Sequence, residues 1–317
     1  EREVPSEAQM NGMKSAVQEA LDAGAIGFAT SFSPNHLGAG GRPMPSTIAS
    51  DDEVRQLAGL MNGREHGVMQ IAAGRRGTVD LLETFVEASG KPIFITAALT
   101  MYNEAHPEKS MEMMEQCQAA RGRGHEIYAQ VTCQPLSFDF NPANPYPFYS
   151  HDAFADIKAK PPEVLAAAYA DESFRNAFKA NLANPQAGVI FYGNWDRVEV
   201  AVPALASNAG LQNRSFADIG RERGTDPVDV FCDLALEEKL ETTIVGRFLN
   251  VDEDGVGPIL RHDSGVISLS DAGAHLIFMC DAGFGCHFLS RWVRERGEFD
   301  LVEGIRRLTS HPADLYG

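Results

Sequence analysis

The chain has 317 residues, 44% hydrophobic and 22% charged, a balance typical of a globular protein with a core sized for one barrel or two ordinary domains. Its formal net charge of −17 and pI near 4.9 exclude nucleic acid and anionic membrane surfaces as partners, since both would be repelled. No apolar run approaches the ~18 residues of a membrane helix. Five cysteines, an odd number without tight pair spacing, predict reduced thiols and a cytoplasmic location.

In chain order, Ser6 with Gln9 forms a capping box that opens a helix through Ala16, Val17, Ala20 and Leu21, stopped at Gly24. A strand follows at Ala25 to Thr30. Ser50 with Glu53 repeats the box and starts a helix through Val54, Leu57 and Leu60, before a strand at Gly67 to Ala72. A helix from Val79 to Ser89, closed by Gly90, leads to a strand at Pro92 to Ala98. A helix over 108–123 then precedes a strand at Glu126 to Thr132. This alternation is the rhythm of parallel strands covered by helices.

The middle of the chain breaks the rhythm. Residues 134–150 mix four prolines with Phe138, Phe140, Tyr146, Phe148 and Tyr149, a composition that suits a pocket wall or lid, or a packed surface loop. Residues 151–183 read as helical with a break at Pro161-Pro162, followed by a short apolar run at Val189 to Tyr192. Helices start at Ser215 and at Asp226-Pro227, where proline suits the first turn. A short strand at Thr243 to Val245, a helix at Val256 to Leu260 and a strand ending at Asp271 complete the alternation, and helices over 284–296 and 301–309 close the chain.

The run Val266-Ile267-Ser268-Leu269-Ser270-Asp271 is a buried-strand pattern that stops on an acidic residue. In an α/β barrel the C-terminal tips of the strands carry the chemistry, so Asp271 is a candidate acid, base or metal ligand. Capping the following segment is its other reading.

The order of these motifs resembles the N-acyl-D-amino-acid deacylases (D-aminoacylase-like enzymes) of the amidohydrolase superfamily. Gly24-Ala25-Ile26-Gly27-Phe28-Ala29-Thr30-Ser31 is similar to a strand of that family, and His36 through Pro45-Ser46 to the loop after it. Asn194-Trp195-Asp196, the segment Asp218 to Asp233, Ser270-Asp271, Trp292-Val293-Arg294 and Leu308-Thr309-Ser310-His311-Pro312-Ala313 follow in the family's order. The resemblance implies a TIM-type (β/α)8 hydrolase barrel of the α/β class occupying residues 1–317, with zinc as cofactor. It implies cleavage of a non-peptide C–N amide bond in a small N-acyl amino acid or related amide. Asp271 matches the last-strand aspartate that moves the proton from water to the leaving amine and touches the metal.

Departures from the family pattern shape further expectations. The chain contains no His-x-His, the family's first-strand metal motif, and its strands correspond to the fourth through the eighth. The chain therefore reads as a fragment whose barrel is incomplete, without the small β-domain. Such an open sheet favours self-association. Where better-known members carry a histidine on the fifth and sixth strands, this chain reads Val68-Met69-Gln70-Ile71-Ala72-Ala73-Gly74 and Ile93-Phe94-Ile95-Thr96-Ala97-Ala98-Leu99. Those residues cannot bind zinc, which leaves Asp271 as the single retained candidate ligand. A catalytically silent fragment or scaffold lacking the metal site is the alternative reading.

Other residues with chemical potential are His275, four positions beyond Asp271, and His36 in a Gly/Pro-rich loop; both are candidate substrate contacts. The spacing of His275, Cys280, Cys286 and His287 matches no common metal-finger pattern. Gln70 and Gln130 lie inside strands, pointing into a polar mouth or satisfying backbone groups. No phosphate loop, dinucleotide fingerprint or Gly-x-Ser-x-Gly elbow is present.

Overall fold

The computed structural model describes residues 4–34, 36–38, 41–96, 101–186, 189–268 and 282–317. The first half alternates as its sequence predicts. Helix α1 (Glu7–Asp22) carries the Ser6–Gln9 capping box, and β1 (Gly27–Ser31) follows. Next come α2 (Pro45–Ile48), α3 (Asp51–Ala58) capped by Ser50, and β2 (Val68–Ala72). Helix α4 (Val79–Ser89) starts on a Thr78 cap and stops at Gly90, whose φ of 64° is a left-handed conformation that glycine adopts without strain. Strand β3 (Ile93–Ile95), α5 (Glu108–Gly122) and β4 (Ile127–Val131) complete this part.

A second unit is inserted after β4. It runs through β5 (Leu136–Phe140), α6 (Pro162–Ala170), α7 (Glu172–Ala183), β6 (Val198–Val202), α8 (Phe216–Arg223), α9 (Pro227–Glu237) and β7 (Thr243–Leu249). The chain then returns through α10 (Glu253–Arg261) to β8 (Gly265–Ile267). It ends in α11 (Phe284–His287), a π-helical stretch Phe288–Glu295, α12 (Leu301–Leu308) and α13 (Ser310–Tyr316).

Two sheets result. One has five strands in the order β1-β2-β3-β4-β8, every neighbouring pair parallel. Among the described residues it is not closed into a barrel: β1 and β8 are its edges. The other, β5-β7-β6, is antiparallel. The strand at Thr243 thus belongs to the insertion and not to the parallel alternation, and β8 joins β4 directly across an excursion of more than a hundred residues. The aromatic segment 134–150 also differs from its lid reading. Leu136–Phe140 is a strand, and Phe138, Phe140, Phe148 and Tyr149 are buried in the core of the insertion with Phe154, Phe178, Phe191, Trp195 and Phe231. The apolar run at Val189 to Tyr192 is buried coil in the same cluster, and β6 lies further on, at Val198.

The parallel sheet has two unlike faces. Met69, Ile71, Ile93, Ile95, Ile127, Ala129, Val131 and Ile267 pack against helices α1, α3, α4, α5 and α10 and the π-helical stretch. The opposite, inner face is layered along the strands. Near the strand starts, Val68, Phe94, Tyr128 and Val266 form a small apolar cluster covered by Leu315 and Tyr316 of α13. The Phe94 ring lies 5.4 Å from that of Tyr316 and 5.8 Å from that of Tyr128. Toward the strand ends the same face turns polar.

Candidate active site at the C-terminal end of the parallel sheet

Strand register sets which side chains share the inner face, because parallel partners point the same way. Ala29 pairs with Gln70 and Ser31 with Ala72; Gln70 pairs with Phe94, Phe94 with Tyr128, and Gln130 with Val266. Above the apolar layer this places Ser31, Gln70, Thr96, Gln130, Thr132 and Ser268 toward the strand ends. All are uncharged hydrogen-bonding residues. Ser31, Gln70, Thr96, Gln130 and Ser268 are half-buried, unlike the layer below them.

The two glutamines meet. Gln70 Nε2 donates to Gln130 Oε1 at 3.1 Å, from β2 to β4 and across the intervening β3. Thr96, at the end of β3, donates its hydroxyl to the Ile71 carbonyl at 3.2 Å. The carboxamide bridge therefore separates the apolar lower layer from the polar strand ends.

His36 lies beside this face. Its Nδ1 is 2.6 Å from Ser31 Oγ, and the Ser33 amide donates to the same hydroxyl at 3.1 Å. The Ser31 hydroxyl thus fixes the orientation of the imidazole at the end of β1. The adjoining loop after β2 approaches closely: Gly74 has φ 55°, and a Cβ there would lie 2.8 Å from the Phe32 carbonyl oxygen. Arg76 of that loop stacks over the Phe32 ring, 4.0 Å from its centroid, and pairs with Asp51 at the start of α3.

The insertion covers the loops at this end of the sheet. Arg75 donates to Gln186 at 3.0 Å. Arg197 grips Glu104 through both carboxylate oxygens, at 2.8 Å and 2.6 Å. His106 stands edge-on to Tyr192, with ring centroids 5.5 Å apart. A Cβ on Gly41 would lie 3.3 Å from the Lys158 carbonyl oxygen. The firmest link is Asn250, 4% exposed and in a left-handed conformation with φ 56°. Its side chain accepts from the Tyr102 amide at 2.6 Å and donates to the Thr132 carbonyl at 2.9 Å, while its own amide donates to the Tyr102 carbonyl at 2.9 Å. Burial of Tyr102 against the charges of Asp252 and Glu104 pushes its phenol above the usual range.

Of the site residues suggested by sequence, His36 stands at this mouth, whereas Asp271 and His275 lie outside the described residues. Gln70 and Gln130 bond to each other. Sequence reasoning passed over Ser31 and Asn250; the signal available for the glutamines was their matching inward register on β2 and β4. Among the described residues no three His, Cys, Asp or Glu side chains gather into a group able to hold a metal ion. The strand-end donors are hydroxyls and carboxamides, a poor set for zinc, which takes Cys, His and carboxylate ligands. The described residues therefore do not fit a zinc centre. Cys286 is exposed, and burial pushes the Cys117 and Cys232 thiols up to about 12, which keeps them protonated and inert.

A five-stranded parallel sheet with helices on one face and polar side chains at the C-terminal strand ends is an α/β architecture of the kind that carries its chemistry at that end. Comparison with solved structures agrees. The N-acyl-D-glutamate deacylase from Bordetella bronchiseptica, solved with zinc and a phosphonate inhibitor, is 18% identical with a TM-score of 0.58, covering 100% of this chain and 54% of that one. A D-aminoacylase structure is 17% identical with a TM-score of 0.56 and the same coverage. No family model matches the sequence. Uncharacterized proteins of Mycobacterium bovis and Mycobacterium tuberculosis are 24% identical over 99% of this chain and 53% of their own length. The chain thus spans about half the length of the curated relatives and solved structures it matches. Among the described residues no helix is long and apolar enough to cross a membrane.

Proposed function

We propose that the chain is the central and C-terminal portion of an amidohydrolase barrel that cleaves non-peptide C–N amide bonds in N-acyl amino acids or related small amides. The observation that carries this reading is the alignment of the whole chain with an N-acyl-D-glutamate deacylase and a D-aminoacylase. Asp271, just beyond β8, is the group that takes a proton from the attacking water and returns it to the leaving amine. His36 and His275 contact the substrate, His36 from the end of β1 with Ser31 behind it. Zinc is the cofactor suggested by the solved deacylase. This chain's own candidate ligand for it is Asp271, one of the three protein ligands that a catalytic zinc normally needs.

The test is amine release from N-acyl amino acids by the chain supplied with zinc. Asp271→Asn keeps the size of the side chain and removes its basicity, so turnover falls by about a thousandfold; unchanged turnover sinks the assignment. A second reading, a silent scaffold that keeps the fold without the metal, is favoured by the missing three-ligand group among the described residues. Elemental analysis separates the two. Near one zinc per chain, lost in Asp271→Ala, supports the hydrolase, and no zinc after reconstitution supports the scaffold.

A further inference from the structure

We infer that Ser31 and His36 form a nucleophile–base pair that cleaves small carboxylic esters through an acyl-Ser31 intermediate and without a metal. This activity goes beyond the amidohydrolase reading above and rests on neither Asp271 nor zinc.

The placement of one proton comes first. The Ser31 hydroxyl has two partners: the Ser33 amide, which donates to Oγ at 3.1 Å, and His36 Nδ1, 2.6 Å away. A backbone amide only donates, so Oγ accepts from Ser33 and turns its own proton toward Nδ1. Nδ1 therefore accepts, which sets the imidazole in the tautomer protonated at Nε2. The reverse arrangement would leave the Ser31 proton without a protein partner. A serine that donates to a neutral histidine nitrogen stands ready for general-base activation.

The pair is also held in place by the backbone. Ser31 is the last residue of β1 and pairs with Ala72, and the Phe32 amide extends the ladder by donating to the Ala72 carbonyl at 2.8 Å. The chain then turns back. The His36 amide donates to the Ser33 carbonyl at 3.1 Å, and the His36 carbonyl accepts from the Met44 amide at 3.3 Å. Leu37 and Pro43 bridge beside it. Bonds on both sides of His36 fix the base before a substrate arrives, so little ordering is left to the reaction. Ser31 is half-buried at the C-terminal end of a parallel strand, the end at which such sheets meet their ligands.

The chemistry follows from that arrangement. Attack by Oγ on an ester carbonyl forms the C–Oγ bond as the serine proton passes to Nδ1. Collapse restores the carbonyl and breaks the bond to the leaving oxygen, which takes the proton from Nδ1. Water then adds to the acyl carbon and gives a proton to Nδ1, and Oγ leaves with that proton. An ester suits a two-residue set because its leaving oxygen is less basic than an amine and needs less protonation to depart.

The experiment mixes the full chain with p-nitrophenyl acetate at neutral pH in the presence of EDTA. The expected result is a burst of about one p-nitrophenol per chain, with an acetyl group mapped to Ser31 by peptide mass spectrometry. Ser31→Ala abolishes the burst, and His36→Gln slows acylation by about a hundredfold. No burst, an acetyl group carried by other residues instead of Ser31, or unchanged kinetics in either variant overturns the inference. A serine that merely holds the imidazole in place gives no such adduct, and mapping on the wild-type chain decides even where a variant fails to fold. Amine release from N-acyl amino acids with zinc supplied is followed separately: its failure counts against the amidohydrolase reading and leaves the acyl-Ser31 result intact.

Discussion

At the scale of single residues, the acid end of the stability curve has an identifiable owner. Glu303 on α12 accepts from Arg306 at 2.6 Å and from the buried Arg307 at 2.7 Å. These two guanidiniums, Arg306 foremost and against some opposing desolvation, hold its carboxyl down at about 2 instead of 4.5. A depressed carboxyl stabilises the fold fully above its unfolded value and progressively less as pH falls from 4.5 toward 2. Denaturant titrations of Glu303→Gln should therefore show a stability deficit at pH 7 that shrinks through this window; a constant deficit would show that lost packing is the cause. Such pairs escape sequence reading only in part. The i, i+3 and i, i+4 spacings are visible, but the burial of Arg307 against the carbonyls of Arg261, His262 and Gly265 depends on chain forty residues away. The same holds for the candidate site. His36 stood out by type and loop, while its partner Ser31 looked like any strand-end serine until the loop folded back on it.

At the scale of elements, the parallel strands and their helices were legible because each signal is local: caps at Ser6 and Ser50, a glycine stop at Gly90, and short β-branched runs. The insertion was not. Leu136–Phe140 does alternate apolar and polar residues as a half-buried strand should, but the prolines and aromatics around it give the segment a loop-like composition that hides so short a run. Phe148 sits fully buried at the centre of that core, in ring contact with Phe140, Phe154, Phe178, Phe191, Trp195 and Phe231. Phe148→Ala leaves a ring-sized cavity and should cost about 3–5 kcal/mol. Near-ultraviolet dichroism during thermal melting should show the aromatic signal lost at lower temperature, with the parallel sheet melting as before. A uniform downward shift of both signals would mean that the two cores unfold as one.

At the scale of the whole molecule, the described structure leaves apolar surface that an isolated chain exposes. Ile26, at the start of the edge strand β1, is 57% exposed, and Leu301, Val302 and Ile305 line the outside of α12, with Val302 79% exposed. Unpaired strand edges and an apolar helix face both favour contacts between copies. Sedimentation velocity over a range of concentrations should show a growing fraction of dimer or larger species despite the charge of −17; a single monomer boundary at every concentration would count against it.

The strap at Asn250 has a consequence for how the molecule can be rebuilt. The insertion leaves the parallel sheet just after Thr132 and rejoins it at Asn250, and its first and last strands lie side by side, with Leu136 opposite Leu249. Entry and exit are therefore neighbours, as at the base of a hairpin. A hundred-odd residues with their own core hang from the sheet on two adjacent stems, a cassette that could be excised or exchanged for another between β4 and α10 without altering the pairing of β4 with β8.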